Sequence, residues 1–163
     1  EDNAMFFYTS SVDDALITRP IEYQDNVIPA SNSIMAKNLF KLAHLLGDMK
    51  YNTIAKQMLH NILKELERYP SGYGNWLDLM LNYTEKYFEL VIIGDQAYNK
   101  QKELYNYYMP NVLVAASTTR SENHLLKNRY IAGKTLLYVC ENSVCKTPAA
   151  SIEEALSNLS IQG

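Results

Sequence analysis

Phe88-Glu89-Leu90-Val91-Ile92-Ile93 is a nearly continuous apolar run, closed by Gly94-Asp95. A run this short, bounded by a turn signal, reads as a strand buried on both faces. Asn111-Val112-Leu113-Val114-Ala115-Ala116 repeats the pattern. Between the two, Gln96 to Tyr108 has helical character until Pro110 breaks it. Strand, helix and strand of these lengths predict a right-handed βαβ crossover.

Beyond the crossover, Ser117 to Lys134 is polar, with a centre that accommodates a helical turn. Thr135 to Cys140 and Val144 to Ala149 then read as the two strands of a hairpin. Ser151 to Leu159 reads as a last helix, Ser151 its N-cap and Glu154 its third helical residue, the spacing of a capping box.

Before Phe88 the periodicity is helical. Met5-Phe6-Phe7-Tyr8-Thr9 reads as an edge strand, and an irregular connection follows to Pro29. A helix is expected after Asn32 or Ser33, with Met35, Leu39, Leu42 and Leu46 as its apolar stripe, widened by Ala36 and Ala43. Lys37, Lys41 and His44 lie opposite, and Gly47-Asp48 ends it. A second helix is expected from Tyr51 to Arg68, stopped by Pro70 and Gly72, and a third from Gly74 to Tyr87. Short connections predict antiparallel neighbours. The fold class is therefore α+β: helical hairpins over 1–87, then a small α/β unit over 88–163 with a crossover, a β-hairpin and a terminal helix.

With 163 residues, 47% of them apolar and 20% charged, the chain has the composition of a globular protein with a sizeable core. Its net charge of −3 offers no general attraction to nucleic acid or to an anionic membrane, and neither is expected as a partner. No apolar run approaches the length of a membrane span. Glu1-Asp2-Asn3 is unlike a signal peptide, and the chain reads as a piece of something longer.

Several blocks together resemble a known family. They are Pro29-Ala30-Ser31-Asn32-Ser33 opening a helix, Val91-Ile92-Ile93-Gly94-Asp95 on a strand, Met109-Pro110-Asn111 before the next, and Tyr138-Val139-Cys140 to Cys145 with Pro148. The sequence resembles the C-terminal end of the spermatogenesis-associated protein 20 family over essentially its whole length. That resemblance implies a long protein with an N-terminal thioredoxin-like domain and a helical toroid of the six-hairpin glycosidase type. It implies that this piece completes the toroid, with the remainder of its own chain as partner and a carbohydrate-like molecule as possible ligand. Family members usually show Pro-Ser-Gly-Asn-Ser, whereas Ala30 and Ser31 replace the Ser-Gly here. A role that requires glycine's backbone freedom at that turn has no glycine in this chain.

Candidate sites follow from residue type and position. With Asn142-Ser143 as a two-residue turn, Glu141 faces Val144 and Cys140 faces Cys145 at a site where Cα atoms lie about 4.5 Å apart. That separation permits a disulfide. The pair reads either as two reduced side chains filling a sheet face or as a redox-sensitive couple able to exchange with the family's thioredoxin-like domain. Two thiolates supply only half of a zinc shell, so no metal is expected. Asp25, Asn32 and Ser33 stand at the entrance to the first helix, as caps or as cavity-lining groups. Arg19 is placed to pair with Asp25 or to hold a ligand.

Asp95, beyond the first buried strand, reads as a helix cap or as a strand-end ligand group. Without a Gly-x-Gly-x-x-Gly or phosphate-loop pattern, no nucleotide or other cofactor is expected. Arg120, Lys127, Arg129 and Lys134 read as a solvated loop or as a contact surface for another domain. His44 and His60 read as surface residues. No Ser-His-Asp or Cys-His arrangement is visible, so the piece carries no self-contained catalytic constellation. If the toroid is cut, the wide apolar arcs of the first three helices predict an exposed patch or self-association.

Overall fold

The computed structural model describes residues 4–12, 14 and 17–159. The described residues form six α-helices and one four-stranded mixed sheet. They fall into two compact units. The first holds residues up to Ala43 and Asp48–Thr84; the second holds His44–Gly47 and the chain from Glu85 onward.

In the first unit, α1 (Ser31–Leu46), α2 (Met49–Asn61), α3 (Leu63–Arg68) and α4 (Gly74–Thr84) follow one another, with a 3-10 turn at Pro70–Gly72. The last turn of α1 belongs to the second unit. Asp48 caps α2, its carboxylate accepting from the Lys50 N–H at 3.0 Å. The single helix expected over Tyr51 to Arg68 is two, interrupted at Ile62. Asn61, a weak helix former, there meets a β-branched residue. The third expected helix stops at Thr84, whose hydroxyl turns back to the Met80 carbonyl at 3.1 Å, so Tyr87 lies beyond it.

Met5 to Thr9 forms no strand. The side-chain amide of Asn32 takes the place of a strand partner for Phe6, accepting from its N–H at 2.8 Å and donating to its carbonyl at 2.9 Å. Phe40, outside the expected stripe of α1, is buried with Ala36, Leu39 and Ala43. Its ring meets Tyr83 edge-on at 4.9 Å. Met35, Leu42 and Leu46 lie off the covered side, at 37%, 36% and 46% exposure.

The second unit is built on β1 (Phe88–Ile93), α5 (Ala97–Leu104), β2 (Val112–Ser117), β3 (Leu136–Glu141), β4 (Val144–Cys145) and α6 (Ile152–Leu159). The strand order is β2-β1-β3-β4, with β1 parallel to β2 and antiparallel to β3. All six residues of β1 are buried, as the apolar run requires. Side chains alternate across the sheet. Phe88, Leu90 and Ile92 pack with Leu137 and Val139, and with Leu104 of α5 and Ile152 of α6. Val91 and Ile93 pack on the other face with Leu125 and Leu126 from the loop between β2 and β3. The expected helical turn in that loop is present: the Leu126 and Lys127 amides donate to the Asn123 carbonyl at 2.9 and 2.8 Å.

Two elements end earlier than the sequence suggests. α5 ends at Leu104, before the Tyr105-Asn106-Tyr107-Tyr108 run. β4 has two residues, with a single further bridge from Ala149 to Leu137, because Pro148 has no N–H to continue the ladder. Asp95 is exposed and does not cap α5; the cap residue is Gln96, whose N–H donates to the Thr135 hydroxyl at 3.0 Å. Half of the terminal capping box forms, Glu154 N–H donating to Ser151 Oγ at 3.2 Å, while the Glu154 carboxylate accepts from the N–H of Ala150, one residue before the cap, at 2.9 Å.

Candidate functional site: the disulfide hairpin

Asn142 and Ser143 have φ of 50° and 65°, both left-handed, which is the two-residue turn whose twist suits a hairpin. This turn sets Glu141 opposite Val144 and Cys140 opposite Cys145, the register expected from the sequence. The cysteines are joined as a disulfide, with Cα atoms 3.8 Å apart. The reading of two reduced side chains is therefore corrected: the turn brings the sulfurs close enough to bond.

Three polar side chains gather on this face of the sheet. Glu89 sits opposite Cys140 in the β1–β3 register. It is a carboxylate 1% exposed inside an otherwise apolar strand. Burial at such a site is tolerated only when both oxygens have partners. Oε1 lies 2.7 Å from Nδ1 of His44, and Oε2 accepts from the Ser143 N–H at 3.3 Å. His44 also meets the Tyr87 ring, with centroids 5.1 Å apart. The surface role expected for His44 is replaced by this tie, while His60 is exposed.

Arg129 is the third. Its Nη2 donates to Cys145 Sγ at 3.0 Å and stands 3.9 Å from Cys140 Sγ. Its other nitrogen donates to the Leu125 carbonyl, and its guanidinium lies 5.8 Å from the Tyr138 ring centroid. The Tyr138 hydroxyl donates to the Arg129 carbonyl at 3.1 Å and fixes the backbone there. Arg129 is thus no solvated loop residue, whereas Lys127 is exposed and pairs with Glu122 at 3.3 Å.

The residues expected to line a cavity come together in the first unit, but as a closed network. Asp25 Oδ1 accepts from Ala30 N–H at 2.9 Å, from the Ser33 hydroxyl at 2.7 Å and from Asn75 Nδ2 at 3.2 Å. Its Oδ2 accepts from Asn75 N–H at 2.8 Å. Burial pushes the Asp25 carboxyl up, but the Ser33 hydroxyl, the Ala30 and Asn75 amides and the Asn75 side chain outweigh it and hold the carboxyl below the usual range. Asn32 also donates to the Glu22 carbonyl at 2.8 Å, and buried Trp76 donates to the Tyr23 carbonyl at 2.7 Å. Together they strap residues 22–30 to the starts of α1 and α4. Ser31 lies outside the left-handed region, so this turn does not require the family's glycine. Arg19 does not join Asp25; it donates to the Thr9 carbonyl at 2.8 Å and lies 4.3 Å over the Phe7 ring.

Sequence reasoning missed Glu89, His44 and Arg129 as a group, and Asn75 as the second partner of Asp25. The one signal for the group was Glu89 itself, a charge within a run read as buried on both faces. Among the described residues, no three His, Cys, Asp or Glu are grouped to hold a metal ion, and no helix is long and apolar enough to cross a membrane.

Human spermatogenesis-associated protein 20 is 26% identical over 136 residues, which cover 77% of this chain and 17% of the human protein. This similarity supports kinship with the spermatogenesis-associated protein 20 family. The chain spans less than a fifth of the length of that curated relative. No protein-family model matches it.

Proposed function

We propose that this chain is a structural closing piece of a longer protein of the spermatogenesis-associated protein 20 kind, the first unit completing a helical toroid. The supporting observation is the apolar pair Met35 and Leu42, one face of α1 in the first unit, left open at 37% and 36% exposure. In this reading its occupant is the helical part of the longer chain that the family resemblance implies, and the similarity to 17% of the human relative leaves room for one.

A carbohydrate-type cavity in that toroid rests on the family resemblance. In this reading Asp25, Asn32 and Ser33 shape its wall by holding the 22–30 strap, since their polar atoms are engaged within the unit. Light scattering and binding of an apolar dye test the reading. The isolated piece is expected to self-associate or bind dye, and the longer chain to do neither. A monomeric piece that binds no dye would contradict the reading.

A further inference from the structure

The disulfide lies at the open edge of the sheet. β4 is its outer strand, and Cys145 is half-buried while Cys140 is 1% exposed. A pocket of about 370 Å³ adjoins the hairpin; Phe88, Val139, Val144 and Lys146, which line it with both cysteines, belong to the sheet face opposite Glu89 and Arg129. Arg129 stands closer to the more exposed sulfur. A fixed guanidinium beside a sulfur favours the thiolate over the thiol, and the thiolate is the nucleophile.

The geometry points to a dithiol–disulfide exchange centre in which Cys145 is the attacking sulfur, Cys140 the resolving one and Arg129 the cation that stabilises the Cys145 thiolate. This goes beyond the closing role proposed above and does not depend on it. The substrate class is an aliphatic disulfide, as in a cysteinyl peptide, that meets Cys145 on the outer strand of the sheet.

The reaction balances without a further reagent. The Cys145 thiolate attacks one sulfur of R–S–S–R′, the substrate S–S bond breaks, and R′S⁻ leaves, taking the Cys140 thiol proton. The Cys140 thiolate then attacks Cys145 Sγ, closing the Cys140–Cys145 bond and releasing R–S⁻. Two protein thiols are oxidised and one disulfide is reduced; a dithiol drives the same steps in reverse. Glu89 acts as a positioning residue, because its bond to the Ser143 amide holds the turn that separates the two cysteines.

The test uses glutathione disulfide with Cys140→Ser and Cys145→Ser, reading mixed-disulfide formation by mass spectrometry. Cys145 in Cys140→Ser is expected to react about tenfold faster at pH 7 than Cys140 in Cys145→Ser. Adding Arg129→Met to Cys140→Ser is expected to slow the reaction about tenfold at pH 7 and to move the rate profile to higher pH. Equal rates for the two cysteines, or a rate indifferent to Arg129, would overturn the proposal. The unaltered chain supplies an independent check if a variant fails to fold. Its disulfide is expected to open and reclose in dithiothreitol and glutathione buffers while the fold persists, and a bond that resists excess dithiothreitol under native conditions is structural only.

Discussion

The buried carboxylate of Glu89 reaches His44 with one oxygen at 2.7 Å and the Ser143 amide with the other at 3.3 Å. One side chain thereby ties the last turn of α1 to the tip of the disulfide hairpin. Removing the imidazole leaves Glu89 with one weak partner in an apolar setting. His44→Ala is expected to lower stability by about 2 kcal/mol, less than a wholly buried pair because the imidazole is partly exposed. Glu89→Gln, which keeps an acceptor without the charge, is expected to cost less. Urea denaturation with the disulfide intact measures both.

Asp25 gives the first unit a dependence on acid. Its carboxyl titrates below the usual value in the folded state, so its contribution is present above the unfolded value of about 3.9 and is lost as pH falls through the folded value. Asp25→Asn removes this dependence and places an amide NH2 against donors. The variant is expected to lose about 1–3 kcal/mol at neutral pH and to show a flatter stability profile below about pH 4. Unfolding curves across the acid range read both effects.

Gly94 has φ of 128°, and a Cβ there would overlap the Lys134 carbonyl oxygen and come within 2.6 Å of the Thr135 Cα. Both obstacles are backbone, so neither can swing aside. Gly94→Ala is expected to cost at least about 2 kcal/mol, visible as a lower thermal midpoint. Gly133 also has positive φ but meets nothing within 4 Å, so Gly133→Ala carries only the backbone cost and shifts the midpoint less.

Ser143 occupies a left-handed position that glycine adopts without strain. Ser143→Gly keeps the N–H that Glu89 accepts and is expected to raise stability by about 0.5 kcal/mol. A fall in the urea midpoint would show that the serine hydroxyl carries more than the turn geometry accounts for.

The second unit was legible because its signals are local. A six-residue apolar run, a crossover length and an Asn-Ser turn fix β1, β2 and the cysteine register within short stretches of chain. The site around the sulfurs was not legible, because its members meet only through folding: Glu89 and Ser143 are 54 positions apart, His44 and Glu89 are 45 apart, and Arg129 and Cys145 are 16 apart. Periodicity placed His44 on a polar face without showing that a strand would arrive beneath it. The apolar face expected on α1 is covered in part: Leu39, Ala36 and Ala43 are buried as expected, Phe40 joins them, and Met35, Leu42 and Leu46 stay open. Hydropathy alone does not distinguish an apolar face covered within the chain from one that awaits another segment.

Methionine oxidation in the longer protein tests the closing role most directly. Met35 and Met49 are exposed in this chain and Met58 is fully buried. With dilute hydrogen peroxide, the isolated piece is expected to form sulfoxide at Met35 and Met49 well before Met58. In the longer protein Met35 should be protected about as well as Met58. Equal oxidation of Met35 in the piece and in the longer protein would contradict the account.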